Sequence, residues 1–166
     1  MGTLDHPAVS VALDALAAAD SSVASISVIV REEIVAVLVD GDRGRYIVFV
    51  HPDGDQWVTR GTMFGVPRPA GPRHEHTPAW EALQRLGTRF RSATADQFGE
   101  GWFAVIGRAA HDAVSLSVTS SFEECVVPIG ADGLAFAVIR ATGSETPRVT
   151  VTTRDGRAIT VGPLAA

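Results

Sequence analysis

The chain has 166 residues, 46% of them hydrophobic and 20% charged, a composition that excludes disorder and suits one domain or two very small ones packed together. Its net charge is −5 with a pI near 5.4, and its basic residues are arginines scattered singly. That argues against non-specific nucleic-acid binding, which needs clustered cations against phosphate. One cysteine, Cys125, excludes an internal disulfide and a Cys-based zinc cluster, and beside Val126 and Val127 it reads as a buried, inert thiol.

The N-terminal residues carry no basic stretch followed by an apolar one, so no secretory signal is expected. His6 stands where a myristoylation signal needs Ser or Thr. No apolar run approaches the roughly 18 residues of a membrane helix. A soluble, cytoplasmic protein with no membrane partner is the expectation.

Asp5-His6-Pro7 opens a helix, because Pro is favoured in the first turn and Asp5 or His6 can cap it. Val9, Leu13 and Leu16 recur at helical spacing with Ala12 beside them, and the helix should end near Asp20. A β-meander follows. Ser25–Arg31 alternates, with Ile26, Val28 and Val30 on one face, and Ile34–Asp40 is apolar enough to be buried on both sides. Tyr46–His51 returns after a glycine-bearing turn, and Asp53-Gly54 leads into Gln56–Arg60. Short connections make these strands antiparallel.

From Gly65 the composition shifts to a Pro-rich loop, which with Pro78 holds four of the nine prolines. Thr77 then reads as a cap and Pro78 as the first residue of a short helix to about Leu86, with Trp80, Leu83 and Leu86 as its apolar face. After a polar connection come six short runs separated by turn residues. These are 101–107, 113–118, 124–129, 134–140, 148–153 and 158–161. Gly130-Ala-Asp-Gly133 and Arg154-Asp-Gly-Arg157 read as hairpin turns, and Pro128 marks an edge or a bulge. The fold class is α+β, mostly β. It comprises a helix and meander over 1–64, a loop and short helix over 65–100, and an antiparallel β-sandwich or half-barrel over 101–166; the alternative is that all three form one continuous domain.

His74-Glu75-His76 is the sharpest local constellation, since in an extended segment the two imidazoles share a side and could chelate zinc or another divalent ion, with His51, Asp53 or Asp55 as a third ligand. Against this, ligands on a Pro-rich loop are poorly preorganised. The Asp-Gly pairs lack the acidic positions of a calcium loop, and no phosphate-binding glycine motif or nucleophile elbow occurs. Trp57, Trp80 and Trp102 each sit in an apolar pattern, with Trp57 the one expected to be most exposed. Trp57 and Trp80, with Arg60, Arg68 and Arg73, make up the candidate interaction surface.

Residues 35–57, with Asp53-Gly54-Asp55-Gln56-Trp57, and residues 101–161, with the Gly-Trp-Phe-Ala-Val-Ile-Gly-Arg-Ala-Ala opening, the Val-Pro-Ile-Gly-Ala-Asp-Gly turn and the Arg-Asp-Gly-Arg hairpin, resemble uncharacterised actinobacterial proteins of unknown function. The resemblance implies their architecture, a β-meander followed by a β-sandwich. It carries no activity and no catalytic residue.

The expectation is therefore a non-enzymatic protein-binding, regulatory or accessory module with no cofactor, acting through a protein partner or self-association. The alternative is a small-molecule-binding or metal-dependent enzyme using the region of His51, His74 and His76.

Overall fold

The structure is a computed structural model and describes residues 4–59 and 64–162. The chain divides after Arg68 into two compact units, Met1–Arg68 and Pro69–Ala166, each with a core of its own.

The first unit opens with helix α1 (Pro7–Leu16). Pro7 sits where the helix has no hydrogen bond for its missing N–H to lose, and His6 caps the turn, its Nδ1 accepting from the Ala8 N–H at 3.1 Å. A helix of ten residues is marginal by itself, so its stability must come from packing. Ala8, Val9, Ala12 and Leu16 supply that contact, buried against Val35, Val37, Val39, Val48 and Val50. Those valines face the helix from β2 (Val35–Asp40) and β3 (Arg45–Asp53), the centre of an antiparallel sheet. β1 (Ala24–Val30) pairs with β2, while β4 (Gln56–Val58) and β5 (Phe64–Val66) both pair with β3. Every residue from Val35 to Val39 is fully buried, as an unbroken apolar run requires. In β1 the register shifts between Ser25 and Ser27, so Ile26 falls at a bulge that interrupts the regular alternation expected there.

The second unit holds two antiparallel sheets. One consists of β6 (Leu83–Ser92), β7 (Glu100–Ala109) and β10 (Leu134–Thr142), in the order β10-β7-β6. The other consists of β8 (Ala113–Thr119), β9 (Glu124–Pro128), β11 (Arg148–Thr153) and β12 (Ala158–Val161), in the order β12-β11-β8-β9. Alternate residues of both sheets meet in one core. Leu83, Phe103, Val105 and Ile139 come from the first sheet, and Leu116, Val118, Val149 and Val151 from the second. This is a β-sandwich and neither sheet closes into a barrel. Side chains such as Leu116 and Ile139, wholly removed from solvent, contribute about 1.5–3 kcal/mol each.

The six runs from Gly101 onward appear as β7 to β12, and Pro128 ends the edge strand β9, where its missing donor costs no ladder bond. Two expectations are corrected. The short helix from Thr77 to Leu86 does not form. Thr77 and Trp80 instead close a turn, each N–H donating to the other's carbonyl at 3.1 Å, and Leu83 opens β6. Thr-Pro is as good an opening for a β-turn as for a helix, because Pro presets the second turn position. Beyond it Thr88 and Phe90 pair with Val105 and Phe103, and this non-local ladder outweighs the helical spacing of Leu83 and Leu86. The second correction concerns Gly130–Gly133. The turn is there, with Gly133 at φ 84°, but β9 pairs with β8 and β10 with β7. It therefore carries the chain from one sheet to the other and closes no hairpin. Arg154–Arg157 does close one, between β11 and β12, with Gly156 at φ 85°.

Candidate functional site

The Pro-rich segment has a definite path, and two arginines hold it. Arg73 turns its guanidinium onto the ends of strands in its own unit. Nε donates to the Ala109 carbonyl (3.0 Å), Nη2 to Ala110 (3.0 Å) and Nη1 to Ala131 (2.9 Å). It lies so close over Gly133 that a Cβ there would stand 2.4 Å from Nε, so glycine is required by contact as well as by φ. Arg108, near the end of β7, answers in the other direction. Its Nη1 donates to the Gly71 carbonyl (2.8 Å) and its Nη2 to Ala70 (3.2 Å) and Pro72 (3.3 Å). The next residues run beside the β7–β8 connection: the His111 N–H donates to the His74 carbonyl (2.8 Å), and the His76 N–H to the Asp112 carboxylate (2.9 Å). Prolines cannot donate and favour extended backbone, so such a segment leaves its carbonyls for side-chain donors.

Between this segment, the Thr77–Trp80 turn and the end of β7 lies a cleft of about 430 Å³. Ala109, Ala110, His74 and Trp80 are among its lining residues. The two rings are stacked, their centroids 3.6 Å apart and their planes within 15°. His76 Nδ1 lies 3.0 Å from the Trp80 carbonyl, a contact that puts the proton on Nδ1 because a carbonyl can only accept. Trp80 is thus fixed through its ring and its backbone, yet it remains 51% exposed. Glu81 is the acidic residue of the lining. Among the described residues neither Arg73 nor Arg108 meets a carboxylate, so two full positive charges bound only to neutral carbonyls border the cleft. Its lining holds no Ser, Thr or Cys, and so offers no hydroxyl or thiol nucleophile.

The remaining candidates fall elsewhere. Trp57, expected to be the most exposed tryptophan, is half-buried against the core under α1, with the His6 ring edge-on to it at 4.9 Å. Trp102 is 4% exposed. Arg68 forms a two-bond pair with Asp40, Nε to Oδ1 at 3.1 Å and Nη2 to Oδ2 at 2.5 Å. That pair holds the Asp40 carboxyl below the usual range, against the upward push of burial and with help from Arg45. Arg60 lies outside the described residues. His51 is on β3 of the first unit and His74 and His76 are on the loop of the second. Among the described residues no group of three or more His, Cys, Asp or Glu is placed to hold a metal ion. The two loop histidines are brought together, but around Trp80.

A second cavity, of about 250 Å³, lies past the end of α1 and is lined by Asp20, Asp42 and Arg43. The Asp20 carboxylate already accepts from the N–H groups of Ser22 (3.3 Å), Asp42 (3.2 Å) and Arg43 (2.8 Å) and from the Tyr46 hydroxyl (3.3 Å). Its acceptor capacity goes to the fold.

Sequence reading missed Arg108 and the role of Arg73 as a fastening. Arg108 is a lone cation at the end of an apolar run, and nothing local ties it to residues 70–72. Trp80 was found, but as part of a helix face. Comparison with protein-family models, curated proteins and solved structures gives no match. Among the described residues no helix is long and apolar enough to cross a membrane.

Proposed function

We propose that this protein is a non-enzymatic protein-binding module, and that the Trp80 cleft is its recognition surface. The observation that carries the reading is a tryptophan half in solvent although its ring is stacked and its backbone paired on both N–H and carbonyl. An exposed loop tryptophan would ordinarily be mobile and would lose that freedom on binding. One held in advance loses little, which is how aromatic anchors at protein interfaces contribute most of their affinity. Around it the lining combines alanines and Pro72 with Arg73, Arg108, Glu81 and Gln84, and carries no hydroxyl or thiol nucleophile.

The reading is tested by cross-linking mass spectrometry on native lysate with the wild-type chain and Trp80→Ala. A stoichiometric partner cross-linked through residues 69–81 and lost in the variant is the expected result. A partner bound equally by both proteins, or none, removes the cleft from this role.

A further inference from the structure

We infer that the cleft takes an acidic peptide segment of the partner, seating one apolar side chain on Trp80 and a neighbouring carboxylate on Arg73 and Arg108. The inference rests on the protein-binding reading and names the chemistry of its ligand.

The argument is a count of donors and charges. A guanidinium has five N–H groups. Arg73 uses one on each of its three nitrogens, which leaves one on Nη1 and one on Nη2. Arg108 uses one on Nη1 and both on Nη2, which leaves Nε–H and the second Nη1–H. Each arginine therefore keeps two donors. Carbonyls orient a guanidinium without neutralising it, so an incoming anion meets cations already fixed in place. A carboxylate pairs with a guanidinium through two N–H groups, and Arg73 keeps one on each of its terminal nitrogens.

The molecule's charge decides the scale of the ligand. With a net charge of −5 it repels an extended polyanion, and two cations in one cleft match one or two carboxylates, not the phosphate ladder of a nucleic acid. Glu81 on the same lining places a repulsive group on one side, so an acidic segment has one favoured direction across the cleft. The exposed indole supplies the apolar half of the contact.

The test is selection from a random-peptide display library on the full chain, with Trp80→Ala as the counter-target. The selected peptides are expected to carry Asp or Glu within about two residues of an aromatic or branched aliphatic side chain, the reach of one strand face. A synthetic peptide from that set should bind the wild type at least about tenfold more tightly than Trp80→Ala. Replacing its acid by the amide should weaken it about tenfold. Arg108→Gln, checked for folding by circular dichroism, should shrink the difference between acid and amide peptides to the part that Arg73 supplies, and an undiminished difference would remove Arg108 from the carboxylate's seat. Selection of neutral or basic peptides that still depend on Trp80 overturns the acidic ligand and leaves the binding module standing. No Trp80-dependent selection overturns both.

Discussion

Asp20 is 4% exposed and ionised, a combination that survives only because its oxygens are fully engaged. It stands where α1 gives way to the sheet and accepts from Arg43, Ser22, Asp42 and Tyr46, so a single carboxylate fastens the end of the helix to the β2–β3 turn. Gly41 makes room for it, since a Cβ there would stand 2.3 Å from Oδ2. The bond from the Arg43 N–H is the largest influence on its acidity. Together with those from Ser22, Asp42 and Tyr46 it outweighs burial and lowers the pKa below the ordinary value. For an acid whose folded pKa is depressed, the unfolded state takes up protons first as pH falls. The stabilisation is thus complete above the unfolded value near ~3.9 and is lost as pH drops through the folded one. Asp20→Asn should accordingly lower the melting temperature at neutral pH, and the gap to wild type should close below about pH 4. Thermal unfolding followed by circular dichroism across that range checks it, and a gap that stays constant with pH would show that the charge has no part in the fastening.

At the scale of elements, most of the β-structure could be read from the chain because its signals are local. Alternation in 113–118 and turn glycines at Gly133 and Gly156 act within a few residues, and β8, β10 and the 154–157 hairpin form where these place them. β6 could not be read this way. Its residues Leu83-Gln-Arg-Leu86 carry a helical spacing, and the choice of strand lies with β7, which shares few residues with any local window. The same holds for the cleft. His74, His76 and Trp80 are close in sequence and were visible, whereas the Arg73 and Arg108 bonds span separations of 36 to 58 residues and were not. The β6–β7 pairing can be tested at Gly101, which lies opposite Ser92. A Cβ at Gly101 would sit 2.2 Å from the Arg91 carbonyl oxygen, a backbone atom that cannot swing aside. Gly101→Ala should therefore cost about 1–3 kcal/mol in urea unfolding. A neutral substitution would mean that β6 does not lie against β7.

For the whole molecule the question is how sheets with free edges stay separate, since an unpaired edge invites another strand. Each edge among the described residues carries a device against this. β1 is bulged, β4 and β5 have three residues each, β6 bears Arg89 and Arg91, β9 ends in Pro128, and β12 has four residues. β10 is the longest apolar edge, and side chains close its C-terminal end. The Arg140 N–H donates to the Glu123 carboxylate (2.7 Å), its carbonyl accepts from the Ser120 hydroxyl (2.6 Å), and the Thr142 N–H donates to Glu145 (2.8 Å). A strand arriving at this end of β10 finds those groups taken. These devices oppose self-association through sheet edges, one of the two kinds of partner that the sequence left open, and favour contact through side chains at the cleft. The chain alone should be a monomer of 17.5 kDa by multi-angle light scattering. Glu145→Ala uncovers only the Thr142 end of β10, and is expected to stay monomeric because Glu123 and Ser120 still cover Arg140. A concentration-dependent dimer of the wild type would count against the edge argument, and its loss in Trp80→Ala would reassign the cleft to a second copy of this chain.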